Sequence, residues 1–217
     1  MFQVKSAELD LTQLGKVISI FMTRDFPKLE RYHHYYLGKH LIMGKCATDV
    51  GKPCNRVMVN YCNNIADSFS GYMTGIDISY SSDTNIEAIQ DVLNYNDVHS
   101  EDTELLKTAL IFGRACEINY IDEEGQQRFK VLDPRECFPI YDDTLNQNLL
   151  YAVRLYKDEL IDGDAYMVEV YDATTRRKYK STLGFSSFEL LEEVPHYYGQ
   201  VPVTFFSLNK EETSIFD

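Results

Sequence analysis

The chain has 217 residues, 44% hydrophobic and 25% charged, a balance that gives one globular domain or two small ones a core and excludes general disorder. Its net charge of −13 is uneven: residues 1–60 carry nine Lys/Arg against five Asp/Glu, and residues 61–217 carry twelve against twenty-nine. The acidic part lacks the clustered cations that phosphates need, which excludes tight sequence-specific DNA binding there and leaves only a weak basic patch at the start.

No stretch approaches the roughly 18 apolar residues of a membrane span. Met1–Asp10 lacks the basic start and apolar run of a secretory signal, so a soluble, non-exported chain is expected. The first half reads as helices. Leu11, Leu14, Ile18 and Phe21 recur at helical spacing, and a break is expected around Thr23–Pro27. A second helix places Leu29, Tyr32, His33, Tyr36 and Leu37 on one face and stops at Gly38. Lys39–Pro53 reads as a loop or short strand. A third helix carries Val57, Tyr61, Ile65 and Phe69 four apart, with Met58, Cys62, Ala66 and Met73 beside them, and is expected to end at Gly71 and Gly75. Thr84 and Glu87 have the spacing of a capping box that opens a short helix with Ile86, Ile89 and Leu93 inward. A further helix runs from about Glu101 to Phe112 and ends at Gly113.

After Gly113 the period changes to two. Cys116, Ile118 and Tyr120 alternate with polar residues, Asp122–Gly125 makes a turn, and Phe129–Leu132 returns as a hairpin. Further strands are expected at Leu149–Tyr156, Tyr166–Tyr171, Arg177–Thr182, Phe188–Glu192 and Val201–Ser207. Asp133-Pro134 and Phe138-Pro139 should sit at edges or in loops, because proline cannot donate to a ladder. Helices first and strands second give an α+β fold with a mainly antiparallel sheet. The segments divide as 1–54, helical and basic; 55–113, helical; and 114–217, β.

Chemical signatures are sparse. GxxxxGK[ST], GxGxxG, HExxH and GxSxG are missing, and Gly51-Lys52 is followed by Pro53, which has no N–H for a phosphate. Five cysteines without CxxC read as free thiols of a reducing compartment. His33, His34 and His40 upstream of Cys46 and Cys54 lack the paired knuckles of a structural zinc site. His40 with Cys46 or Cys54 is the nearest approach to a thiolate–imidazole pair. Asp122, Glu124 and Asp142 are the carboxylates that a metal-dependent hydrolase or nuclease would use, and Asp158-Glu159 is a similar cluster, but all fall at turns where acids are expected for backbone reasons. Sixteen Tyr and twelve Phe, several adjacent as in Tyr35-Tyr36, Tyr197-Tyr198 and Phe205-Phe206, suit core packing and an oligomer interface equally. No residue is assigned a catalytic, cofactor-binding or metal-binding role, and no cofactor is expected.

An ordered set of landmarks spans Tyr35–Asn209. It comprises Tyr35-Tyr36-x-Gly38-x-His40-x-Ile42, Asn55-Arg56-x-x-x-Asn60-Tyr61, Ile65, and Gly71-Tyr72-x-x-Gly75. Gly113-Arg114-Ala115-x-Glu117-x-x-Tyr120-x-Asp122-x-x-Gly125 follows, then Asp133-Pro134-Arg135, Pro139-x-Tyr141-Asp142 and Tyr198-Gly199-x-Val201-Pro202-Val203. In order and spacing these resemble the N-terminal portion of the SPP1-like portal proteins of tailed bacteriophages and prophages. The resemblance implies a non-enzymatic structural subunit of a dodecameric ring, the head-tail connector at one capsid vertex. It implies docking of the terminase large subunit during packaging, contacts with major capsid, scaffolding and connector proteins, and passage of double-stranded DNA without sequence-specific binding. It places the protein in the virion, after assembly in the host cytoplasm, with no membrane. Residues 1–217 would form chiefly the wing. Stem, clip and crown are expected to be absent, as in a truncated chain, so no DNA-contact position is carried over.

Overall fold

A computed structural model of the protein describes residues 2–4, 9–44, 55, 57–157, 165–181 and 184–217. The fold is α+β: after a three-residue strand at Phe2–Val4, helices fill the first half and strands the second. Helix α1 (Leu11–Ile20) buries Leu14, Val17 and Ile18, the i, i+3, i+4 face that the sequence gives it. The expected break at Thr23–Pro27 does not occur. The chain runs through a π-helical turn, Phe21–Asp25, into α2 (Phe26–Tyr36). Pro27 has no N–H to complete an ordinary i→i−4 bond, and the widened turn absorbs that loss while keeping Phe21 buried. Gly38, at φ +76°, turns the chain out of α2 toward a 3₁₀ turn at Leu41–Gly44.

Helix α3 (Tyr61–Met73) starts later than expected, at an Asn60 cap whose side chain accepts from the Asn63 N–H. It passes through Gly71 and ends at Thr74; Gly75 has no positive φ. Helix α4 (Glu87–Tyr95) is not capped by Thr84. The Asn85 side chain accepts from the Glu87 N–H at 2.8 Å, a nearer acceptor for the same orphan donor. Ile89, expected inward, is exposed. Helix α5 (Val98–Phe112) stops at Gly113, φ +79°, and buries Ala109 to Phe112 at its end.

Strands β1 (Phe2–Val4), β4 (Cys137–Asp142), β5 (Leu149–Lys157), β6 (Tyr166–Tyr171), β7 (Thr175–Ser181) and β8 (Phe188–Pro195) form one sheet in the order β1-β4-β5-β6-β7-β8. Strands β2 (Arg114–Ile121), β3 (Gln127–Leu132) and β9 (Val203–Ser207) form a second, antiparallel sheet in the order β3-β2-β9. The hairpin after Gly113 is present, with Gly125 at φ +77° in its turn. Pro139 lies inside β4, contrary to expectation. It is accommodated because β1 pairs with β4 only from Ile140 onward, so Pro139 stands just outside the segment flanked on both sides. β1 runs parallel to β4, and its three residues are too few to display an alternation in the sequence.

The main core lies between α1, α2 and the end of α5 on one side and the six-stranded sheet on the other. At its centre Phe138 stacks on Phe21 with ring centroids 4.4 Å apart and touches Phe2 at 5.2 Å. Cys116, Ile118, Cys137, Ala152, Tyr171 and Val203 form a second core that joins the two sheets.

Candidate assembly surface

Of the carboxylates singled out for chemistry, Asp122 and Glu124 share the β2–β3 turn and Asp142 lies in another. Asp122 closes the β2–β3 turn by accepting from the N–H groups of Glu124 (3.1 Å) and Gln126 (2.8 Å). The Tyr95 hydroxyl donates to Asp122 at 3.3 Å and to Glu124 at 3.0 Å. Asp142 belongs to a different sheet and turn, where it accepts from Thr144 and from both nitrogens of Asn148. The Asn148 amide is the first cause of its carboxyl lying below the ordinary value. Among the described residues, no three His, Cys, Asp or Glu side chains come together as a metal site.

His33 Nδ1 accepts from the Arg135 guanidinium at 2.9 Å while its ring stacks near Phe112, and burial followed by the Arg135 charge lowers its pKa. His34 is exposed on α2. His40 lies against the Tyr35 ring, and its buried Nε2 has no hydrogen-bond partner among the described residues. Cys46, Cys54 and Asp158-Glu159 lie outside the described residues, as do the pairings proposed for them. Cys116 and Cys137 are buried side by side in the second core, and their mutual hydrogen bond and burial push the Cys116 thiol up, away from a reactive thiolate.

A groove of about 660 Å³ lies between the two sheets. Its most buried charge, Glu169, accepts from the hydroxyls of Tyr171 (2.9 Å) and Tyr156 (3.3 Å) and faces Arg154 at 3.4 Å. Arg176 in the same groove is paired with Glu192. These charges pair across strands, although the buried Arg154 Nε has no hydrogen-bond partner among the described residues.

The unusual surface is on α3. Its body-facing side is small and polar: Ala66 and Ser70 are buried, and Asp67 is clamped by the Lys107 ammonium of α5 (2.8 Å) and the Tyr36 hydroxyl of α2 (3.0 Å). The Asp67 carboxyl is held below its ordinary value, the Lys107 and Tyr36 bonds outweighing burial, and the Asp67 bond raises Lys107. Asn60 Nδ2 adds a bond to the Tyr36 carbonyl at 2.9 Å. The large apolar side chains of the helix therefore point away from the body. Tyr61, Ile65, Phe69 and Tyr72 fall at spacings of four, four and three along one outward stripe, with Tyr72 87% exposed. Met73 and Ile76 extend it. Sequence periodicity found the helix and the stripe, but carried no sign of which side the body would take.

Residues 17–217 match the family described as phage portal protein, SPP1 Gp6-like. The chain belongs to this portal family. Comparison with curated proteins gave no match. The family is a structural one, an oligomeric phage connector. Among the described residues, no helix is long and apolar enough to cross a membrane.

Several of the sequence landmarks named above have architectural places in this chain. Asp133-Pro134-Arg135 makes the turn between β3 and β4. Arg135 forms a two-pronged ion pair with Asp133 and reaches His33 on α2, tying the sheets to the helical half. Gly199, at φ +70°, turns the chain toward β9. Tyr198 donates to Gln127 Oε1 at 2.9 Å, while its neighbour Tyr197 is 89% exposed. Phe205 packs into the second core while Phe206 is exposed, as the alternation of a strand requires.

Proposed function

We propose that the chain is a wing subunit of a dodecameric portal ring at one vertex of a phage capsid. Residues 55–113 supply the helical part of the wing and 114–217 its β part. The ring admits double-stranded DNA through its axis, docks the terminase during packaging, and holds the head-tail connector afterwards. It works in the virion after assembly in the host cytoplasm, as a shaped part with no chemistry of its own. The observation that carries this reading is the family match across residues 17–217. The net charge of −13 supports it, because an acidic conduit repels phosphates and lets a duplex slide.

The test is native mass measurement and negative-stain imaging of the intact gene product. Rings with a central channel are expected. A strict monomer at high concentration would refute the reading.

A further inference from the structure

We infer that the outward face of α3 is covered by a neighbouring copy of this chain. The inference rests on the ring reading above and assigns a contact surface to it. The first ground is the inverted amphipathicity of the helix. With Ala66 and Ser70 buried and the half-exposed Asp67 tied to Lys107, α3 leaves Tyr61, Ile65, Phe69, Tyr72, Met73 and Ile76 exposed, an arrangement that a monomer gains nothing from.

The second ground is size. At roughly 200 Å² for a large side chain, the exposed fractions of these six residues amount to about 800 Å², one partner's share of a standard stable interface.

Charge then selects the occupant. Residues 57–76 contain one charged side chain, Asp67, and it is already paired with Lys107 of the same chain. A nucleic acid finds no Lys or Arg there to neutralise its phosphates. A second copy, itself carrying −13, is repelled by most of this surface and meets the least opposition where charge is missing, the usual composition of an interface core. Closed rings of more than two subunits use head-to-tail contacts, so α3 meets a different patch on its neighbour and not a second α3.

The experiment uses the intact gene product with Ile65→Glu and Phe69→Glu together. Both side chains are half exposed, so the circular-dichroism melting midpoint should stay unchanged while rings disappear or need at least tenfold more protein to form. In parallel, a photo-crosslinking amino acid replaces Tyr72 in otherwise native rings. Covalent dimers are expected, with the crosslinked peptide outside residues 61–76. Unchanged ring assembly by a folded double variant overturns the inference, as does a photoproduct that stays monomeric or joins two α3 helices. If the double variant does not fold, the crosslink alone decides. Failure of the native protein to form rings would instead overturn the portal reading, and this inference with it.

Discussion

Gly113 sits where the helical half hands over to the sheets, and replacing it by alanine tests that junction. Its φ of +79° costs an alanine about 1–2 kcal/mol. A Cβ built there would stand 2.5 Å from the carbonyl carbon of Thr213 and 2.7 Å from that of Glu212. Both are backbone atoms, so the segment must move as a unit. That segment is held by Ser214 Oγ donating to the Leu110 carbonyl (3.2 Å), by the Ile215 N–H donating to the same oxygen (3.1 Å), and by the Leu208 N–H donating to the Gly113 carbonyl (2.9 Å). Overpacking against fixed backbone adds about 1–3 kcal/mol, so Gly113→Ala should destabilise by about 2–5 kcal/mol in total. Gly125 separates the two contributions. It has nearly the same φ, +77°, with open space around its Cβ position, and Gly125→Ala should cost about 1–2 kcal/mol. Urea unfolding followed by far-ultraviolet circular dichroism measures both, with limited proteolysis near residues 208–217 as a local readout. Equal losses in the two variants, within about 0.5 kcal/mol, would refute the argument that contact with Thr213 matters.

Other substitutions probe the core, a turn and the assembly helix. Phe138→Ala removes the ring stacked on Phe21 and should cost about 3–5 kcal/mol in the same urea assay. Burial opposes the charge on Asp172, but the N–H and hydroxyl groups of Thr174 and Thr175 outweigh it and bring the carboxyl from 3.8 to about 2. With the folded pKa depressed, its stabilisation is complete above pH 3.8 and fades as pH falls toward 2. Asp172→Ala should therefore lose about 1–2 kcal/mol at pH 7, allowing for solvent screening, and the gap from the native protein should narrow between pH 4 and 2. Asp67→Ala unclamps α3 from Lys107 and Tyr36. Global stability should fall by only about 0.5 kcal/mol, while amide hydrogen exchange in 61–73 accelerates.

The parts of the fold legible in the sequence were those with a strong local signal. Gly113 ended its helix, and the period-two run from Cys116 met a turn with Gly125 at positive φ, so the hairpin lay where the pattern put it. Legibility failed where a distant partner decided the outcome. Pro139 reads as an edge residue until β1, more than 130 positions earlier, is seen to begin its pairing one residue further on. Pro27 reads as a stop, yet burial of Phe21 and Leu29 on one continuous surface favours a widened turn over a broken helix. Thr84 had the right spacing for a cap, but Asn85 was one residue closer to the donor.

The same limit applies to the assembly surface, and there it carries a physical lesson. Periodicity counts apolar residues on a helical face and is blind to what the face meets. On α1 the apolar stripe meets the sheet; on α3 a stripe of similar strength meets water. On the opposite side of α3, Ala66 and Ser70 are buried, Asp67 bonds Lys107 of α5 and Tyr36 of α2, and Asn60 bonds the Tyr36 carbonyl. The Asp67 carboxylate, itself partly exposed, adds bonds to Lys107 and Tyr36 on that side and contributes little to global stability. Such a helix in a monomer would be a liability in a concentrated cytoplasm. In an oligomeric family that liability is removed if, as proposed above, a neighbouring copy of the chain covers the face.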